Sequence, residues 1–185
     1  MIRKAVAQDT PAIAKSYEAL LLHEKVHGSN SNWQLGVYPT ICVPESRIPE
    51  GSMYVLEDQG EICASMVLNH EQAEEYAGVS WQYPAQPPEV LVIHTLCIPP
   101  QKAGQGYGAQ MVDFAKEFAA ASGYRVIRID TYAHNEPAKR LYQKHGFRIA
   151  GYGEMLLQGK IREAQVYLEF LLEDGQEPKI SSQMD

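Results

Sequence analysis

The chain has 185 residues, a length typical of one domain with its own hydrophobic core. Hydrophobic residues make up 45% of the sequence and charged residues 21%, which is the balance of a soluble globular protein. The formal net charge of -7 argues against nucleic acid as a partner, because its phosphates require clustered Lys and Arg.

The N-terminal segment and the cysteines favour a cytoplasmic protein. The opening "MIRKAVAQDT" has no apolar segment behind its first charges and does not resemble a secretory signal. The best apolar run, "VLVIHTLCI", is too short to span a membrane, so we expect no membrane partner. Cys42, Cys63 and Cys97 are odd in number and widely spaced, which fits neither a disulfide framework nor a zinc knuckle. We therefore expect reduced thiols.

The first 50 residues predict a strand, a long helix and an irregular segment. Residues 1–6 have the pattern of a short strand. Cap-forming residues and a proline at 9–11 are typical of a helix start, and Gly28 is typical of its end. Residues 28–50 are rich in turn formers, with one short helix expected near residues 39–48.

The remaining chain predicts alternating strands and helices. Two β-forming runs flank Gln59-Gly60 as a hairpin, and residues 75–83 favour a further strand. Residues 89–98 are nearly continuous β-formers, as in a strand buried on both faces. A glycine-rich turn, two helices and three strands follow. The order predicts one mixed α/β or α+β domain over residues 1–173, with a polar tail at 174–185.

The glycine-rich turn "QKAGQGYGAQ" is typical of a phosphate site. It joins a buried strand to a helix, whose first N–H groups have no partner inside the helix and attract anions. Gly104, Gly106 and Gly108 allow the backbone to approach a ligand closely. The spacing matches neither the P-loop GxxxxGK[ST] nor the dinucleotide GxGxxG pattern.

The same turn resembles the Q/R-x-x-G-x-G/A signature of the GNAT superfamily of N-acetyltransferases, with Gln101 and Gly106 at its ends. The preceding "HTLCI" resembles the family's fourth strand. Downstream, "NEPAKRLYQKHGF" is similar to its N-x-x-A-x-x-x-Y-x-x-x-G-F segment. The resemblance implies a single GNAT domain with a mixed, mostly antiparallel sheet flanked by helices. It also implies transfer of an acetyl or short acyl group from acetyl-CoA to a primary amine, on a small molecule or a peptide, in a ternary complex.

The resemblance also implies where acetyl-CoA binds. Strand backbone atoms hold the pantetheine arm, loop amides hold the pyrophosphate, and two residues of the downstream segment approach the cosubstrate. The expected set is Leu96, Cys97, Ile98, Gln101, Lys102, Ala103, Gly104, Gln105, Gly106, Tyr107, Gly108, Asn135 and Tyr142. Asn135 is equally suited to capping the helix that follows it.

Acetyl transfer requires a base for the amine and an acid for the leaving thiolate. Tyr142 matches the family's tyrosine near the CoA sulfur and is the candidate acid, although helix packing alone also explains it. His94 is the candidate base, with Glu89 as its competitor and a core histidine as the structural alternative. Cys97 permits a covalent acyl-enzyme, but a buried small hydrophobe is the favoured interpretation.

Placement after the first helix suggests which residues line the acceptor pocket: His27, Trp33, Tyr38 and Trp81. The net charge hints at cationic acceptors. The resemblance to the GNAT superfamily is also compatible with a homodimer, since dimers are common in that family.

Two other functions remain open from the residues. "HEKVH" satisfies the H-E-x-x-H pattern of zinc proteases, but the helix ends directly after His27 and no third ligand is evident, so no metal is expected. A non-catalytic acyl-CoA-binding sensor would use the same loop without turnover.

Overall fold

A seven-stranded sheet with four helices forms the part of the chain that the computed structural model describes, residues 1–172. The strands lie in the order β1-β2-β3-β4-β5-β7-β6, and β4 with β5 is the parallel pair. The other neighbours pair antiparallel, so the predicted mixed, mostly antiparallel α/β architecture is confirmed. In chain order the elements are β1 (Ile2–Lys4), α1 (Thr10–His27), α2 (Cys42–Arg47), β2 (Met53–Asp58), β3 (Glu61–Asn69), β4 (Val90–Cys97), α3 (Tyr107–Ala121), β5 (Val126–Tyr132), α4 (Glu136–Lys144), β6 (Arg148–Leu157) and β7 (Ile161–Leu171).

The start of α1 shows how local sequence sets an element boundary. The Asp9 carboxylate accepts the N–H of Val6 at 2.8 Å and pairs with the Arg3 guanidinium at 2.7 Å. Gly28 ends the helix with φ of +97°, a conformation that favours glycine, and donates its N–H to the carbonyl of Glu24. The predicted bounds of this helix are confirmed.

The sheet is buried on both faces, and β4 shows this directly. Leu91 and Ile93 share a buried cluster with Met111 of α3. Val90 and Val92, with side chains that alternate to the other face, pack in a second cluster. This is the two-sided burial that the run of β-formers predicted. Helix α1 covers β2, β3 and the end of β4 on that second face.

The strand predicted at residues 75–83 is wrong. The segment forms a short 3-10 helix at Glu74–Gly78 followed by irregular chain. Its aromatic residues serve as anchors, since Tyr76 is buried against Trp81. The N–H of Gln82 donates at 2.9 Å to the buried carboxylate of Glu169 on β7. The Glu169 side chain thus satisfies the N–H of Gln82, which in a strand would have bonded to the backbone of a neighbouring strand.

Strands β4 and β5 separate part-way along the sheet. Their pairing runs from Val90 opposite Val126 to Val92 opposite Arg128 and then stops. Beyond this point β5 remains paired with β7, whereas β4 bulges: His94 and Cys97 oppose residues of β3 that are only two apart. The backbone edge of residues 93–97 that faces β5 is therefore open.

Three remaining expectations concern the polar tail, a membrane span and the cysteines. The predicted polar tail, residues 174–185, lies outside the described residues. Within residues 1–172, no helix combines the length and the apolar character that a membrane span requires. The three cysteines are unpaired, as expected.

Candidate functional site

The glycine turn lies between the open end of β4 and the start of α3, and its glycines have different roles. Gly104 and Gly106 have φ of +76° and +82°, which other residues adopt only with strain. Gly108 has no such conformation. A Cβ at Gly108 would lie 3.3 Å from the Leu141 side chain and 3.4 Å from that of Ile98, so its absence allows α3 to pack closely on α4 and on the end of β4.

Six consecutive backbone N–H groups of this turn have no protein acceptor. Lys102 and Ala103 donate to the carbonyls of Pro99 and Pro100, and the next paired donor is Gln110. Between them, no acceptor within residues 1–172 pairs with the N–H groups of residues 104–109. Unpaired donors at a helix N-terminus form an anion site, and so many in succession fit a diphosphate.

The side chains of the turn are engaged elsewhere. Lys102 Nζ donates to Glu61 Oε2 at 2.5 Å, and the Tyr107 hydroxyl donates to an oxygen of Asp58 at 2.8 Å. Gln105 Nε2 donates to the carbonyl of Gln101 at 3.1 Å. The contribution of this turn to an anion site is therefore made by its backbone.

A cavity of about 490 Å³ lies where β4 and β5 separate. Its walls come from the segment after α1, from β4, from the end of β5 and from the β6–β7 hairpin. The polar and aromatic side chains that face it include Trp33, Tyr38, Arg47, Glu71, His94, Thr95, Asp130, Tyr132, Asn135, Glu163 and Gln165. The cavity thus lies beside the open part of β4, and the glycine turn follows the end of the same strand.

Comparison with known proteins agrees with this geometry. The family model described as "Acetyltransferase (GNAT) family" matches residues 19–147, which is more than half of the chain. The chain belongs to this family. The N-acetyltransferase YhfO of Bacillus subtilis is 24% identical over 102 residues, covering 53% of this chain and 68% of that protein. Streptothricin acetyltransferase of Escherichia coli is 32% identical over 95 residues, and the match spans only 51% of each chain.

Solved GNAT structures share the fold. That of yncA from Salmonella typhimurium, which contains its cofactor acetyl-CoA, has a TM-score of 0.66 at 17% identity and covers 97% of this chain and 98% of its own. At this identity the likeness concerns the fold alone. The family and these relatives support assignment of the GNAT domain as an acyltransferase.

His94 of the GNAT domain lies in the cavity wall with a defined tautomer. Its Nε2 is 2.9 Å from Asn69 Oδ1, which also accepts the backbone N–H of Glu71 at 3.0 Å. Because that N–H can only donate, the Asn69 atom must be the oxygen, and His94 Nε2 must carry the proton. Burial, with a smaller effect from Arg47, lowers the pKa of His94 to about 4. At neutral pH the ring is uncharged, and Nδ1 is its proton acceptor.

Tyr142 lies in the core between the sheet and α3, not in the cavity wall. It is 3% exposed, and its ring packs on Phe147 with centroids 5.6 Å apart. Its hydroxyl has no hydrogen-bond partner in the described chain. Burial, with a contribution from Asp130, raises the pKa of Tyr142 well above its usual value. The phenol therefore keeps its proton at neutral pH, and burial makes it a weaker acid than a free tyrosine.

Two alternative catalytic groups lie away from the cavity. Cys97 is buried beside Ile13 of α1, and burial raises the pKa of its thiol to about 12, so no thiolate nucleophile exists at neutral pH. Glu89 precedes β4 at the end far from the glycine turn, and its carboxylate accepts the N–H of Gln86 at 2.6 Å. It is not among the residues that line the cavity.

Of the four acceptor-pocket candidates, the structure brings two together. Trp33 and Tyr38 line the cavity with their rings edge to face, and the Tyr38 hydroxyl lies 2.5 Å from Thr95 Oγ1. Trp81 instead stacks under the Arg128 guanidinium, 4.1 Å from the ring centre, and lies outside the cavity. His27 lies at the exposed end of α1, with Nδ1 2.9 Å from the carbonyl of His23.

The H-E-x-x-H pattern has a structural explanation in this GNAT domain. The buried Glu24 carboxylate accepts hydrogen bonds from the hydroxyls of Ser29 and Ser31 and from the N–H groups of Asn30 and Ser31, and so holds the turn after α1. The His23 and His27 rings stack 4.1 Å apart. Within the described chain, no group of three or more His, Cys, Asp or Glu side chains is arranged to hold a metal ion.

Sequence reasoning missed several side chains of the cavity. Asp130 and Glu163 line it, and Gln165 joins them although it is 2% exposed. The signal available was the polar residues at alternate positions of β7, where the inward face of a buried strand should be apolar. Asn69, which orients His94, carried no signal of its own. Asn135, which was predicted, both lines the cavity and caps α4 by accepting the N–H of Ala138.

Proposed function

We propose that the protein transfers an acetyl or other short acyl group from acetyl-CoA to a primary amine, by direct attack in a ternary complex. The observation that carries the proposal is the row of six unpaired N–H groups at residues 104–109, next to the open backbone edge of β4. Few other ligands need both an anion cradle and an extended strand partner. The acetyl-CoA reported with yncA supports the same cosubstrate.

The residues of this site fit acetyl-CoA. Backbone groups of Leu96, Cys97 and Ile98 would pair with the pantetheine arm, and the free amides of residues 104–108 would surround the pyrophosphate. The amides of Lys102 and Ala103, which the sequence also suggested, are already donated to the carbonyls of Pro99 and Pro100. When bound, acetyl-CoA supplies the acyl thioester that the amine attacks. The glycine conformations are set before binding, so little ordering is needed on association.

His94 is the base in this proposal. An amine arrives as an ammonium with a pKa of about 10.4 and must lose a proton before it is a nucleophile. The hydrogen bond from Nε2 to Asn69 leaves Nδ1 as the acceptor of that proton, directly or through a water. The lowered pKa of His94 keeps the ring uncharged at neutral pH, which leaves Nδ1 free to accept, and it also lowers the basicity of that nitrogen. Glu89, outside the cavity, is the weaker candidate.

Tyr142 is the proton donor to the leaving thiolate. The phenol is protonated at neutral pH, as any tyrosine is, and its hydroxyl has no competing partner in the described chain. Cys97 contributes through its backbone, because a pKa of about 12 removes its thiol from nucleophilic chemistry. Direct attack by the amine is therefore favoured over a covalent acyl-enzyme.

Calorimetric titration of acetyl-CoA in the presence of EDTA tests the cradle, with desulfo-CoA and adenosine diphosphate as partial ligands. An amine screen that detects the released thiol then tests transfer. Binding with turnover supports the proposal, and binding without turnover of any amine would instead support an acyl-CoA sensor. No binding would show that residues 101–108 are only a turn.

A further inference from the structure

The cavity contains two carboxylates on neighbouring strands. Asp130 and Tyr132 of β5 lie on the same face as Gln165 and Glu163 of β7, because side chains alternate along each strand and Tyr132 stands opposite Gln165. All four line the cavity. Asp130 Oδ1 accepts a hydrogen bond from the Tyr76 hydroxyl at 2.6 Å, and Glu163 is 5% exposed. The acidic side chains are thus held in the wall.

Gln165 carries an acceptor that the described protein leaves without a donor. Its Nε2 donates to Glu163 Oε1 at 2.6 Å, which is the amide orientation that an ionised carboxylate requires, because such a carboxylate only accepts. Its Oε1 is fully buried and has no hydrogen-bond partner within residues 1–172. A buried amide oxygen without a donor costs free energy, and a ligand N–H would remove that cost once the Gln165 side chain turned this oxygen towards the cavity.

Glu163 has acceptor capacity to spare. Besides Gln165, its carboxylate receives one hydrogen bond, from Asn32 Nδ2 at 2.7 Å. A carboxylate offers about four acceptor positions, so two remain for a ligand. Burial raises the pKa of Glu163, and a neighbouring cation would stabilise its ionised form.

The carboxyl groups of the cavity favour a cationic ligand, because burial raises the pKa of Asp130 and a neighbouring cation would stabilise its ionised form. The carboxylates of Glu71, Asp130 and Glu163 line it, and Arg47 is the guanidinium that lines it. Arg47 is already paired with Glu71 at 2.7 Å and with Glu50 at 2.8 Å. The aromatic faces of Trp33 and Tyr132 are further groups that attract cations.

We propose that the acceptor is a diamine or polyamine, and that Glu163 with the Oε1 of Gln165 binds the nitrogen that is not acetylated. This rests on the proposed acetyl transfer, in which His94 faces the other nitrogen. Strand β5 lies between β4 and β7, so the two groups stand on backbones separated by about 10 Å or more. The substrate class is therefore an amine whose second positive charge lies several bonds from the reacting nitrogen.

The test compares 1,6-diaminohexane with hexylamine, which has the same chain and one charge fewer. Calorimetric binding to the full chain with desulfo-CoA present should give about tenfold or tighter affinity for the diamine. Diamines of three to eight methylene groups then report the spacing of the two subsites. Equal affinity of the two probes for the wild-type protein would overturn the diamine proposal.

Substitutions at Glu163 and Gln165 test where the nitrogen that is not acetylated binds. Glu163→Gln and Gln165→Leu should each reduce the preference for the diamine at least severalfold, while Glu154→Gln, an exposed carboxylate on the same hairpin, should preserve it. Unchanged acetyl-CoA affinity verifies that each variant is folded. A preference that survives both Glu163→Gln and Gln165→Leu would contradict the assignment.

The two proposals fail in different ways. Thiol release with hexylamine, but no preference for the diamine, leaves acetyl transfer intact and rejects the cation subsite. Preferential diamine binding without thiol release supports the subsite and rejects transfer.

Discussion

His94 donates its Nε2–H to Asn69 Oδ1 at 2.9 Å, and the N–H of Glu71 holds that oxygen in place from the other side. The relationship joins β4 to the end of β3. It defines a neutral imidazole whose free nitrogen is Nδ1. The burial that accompanies this arrangement has consequences for both stability and activity.

The first prediction concerns the dependence of stability on pH. His94 has a pKa of about 4 in the folded protein and about 6.5 when unfolded, so the unfolded state binds more protons between these values. Stability contributed by the neutral ring is complete above pH 6.5 and is lost as pH falls towards 4. Between pH 7 and pH 4 the wild type should lose about 3 kcal/mol more than His94→Gln. Urea unfolding at both pH values measures this difference, and an equal loss of stability in the two proteins would contradict a neutral His94 with a lowered pKa.

The second prediction separates the two candidate bases. His94→Gln should lower kcat by about 100-fold and leave acetyl-CoA affinity unchanged, because the substitution removes the proton acceptor but not the cradle. Glu89→Gln is the matched comparison and should retain kcat within about twofold, since Glu89 lies outside the cavity. Steady-state kinetics with a reactive amine measures kcat for both variants. A larger loss of kcat in Glu89→Gln than in His94→Gln would assign the base to Glu89.

The third prediction concerns Tyr142. Its hydroxyl makes no hydrogen bond in the described chain, so Tyr142→Phe should change the free energy of unfolding by less than about 0.5 kcal/mol. If the phenol protonates the leaving thiolate, kcat should fall about tenfold or more. Thermal unfolding and kcat are measured on the same sample. A stable variant with full kcat would leave Tyr142 as a packing residue.

The fourth prediction compares two glycines of the turn. Gly106→Ala places a Cβ at φ of +82° and should cost about 1–2 kcal/mol of stability and weaken acetyl-CoA binding. Gly123→Ala introduces the same strain, at φ of +76°, after α3 and far along the chain from the cradle. It should cost similar stability without changing acetyl-CoA affinity. Similar loss of affinity in both variants would show that general destabilisation, not the cradle, is responsible.

The glycine turn was predictable because its properties are local. Two positive φ angles and the unpaired N–H groups at the start of α3 depend on residues 104–109 alone, and the periodic patterns around them fixed the neighbouring strand and helix. The same locality explains the successful bounds of α1. The strand predicted at residues 75–83 was wrong because a long-range contact determines the conformation there: the N–H of Gln82 donates to the carboxylate of Glu169.

The sequence by itself indicated the family fold, through the resemblance of residues 101–106 and 135–147 to GNAT motifs. It also determined the position of the glycine turn with its free N–H groups, since these depend on short-range spacing and backbone conformation. Only the tertiary structure decided which side chains share the cavity. The pairing of β5 with β7 brings Asp130 and Gln165 together, and a hydrogen bond across 25 residues selects the tautomer of His94. These relationships depend on strand register and burial, which no local pattern specifies.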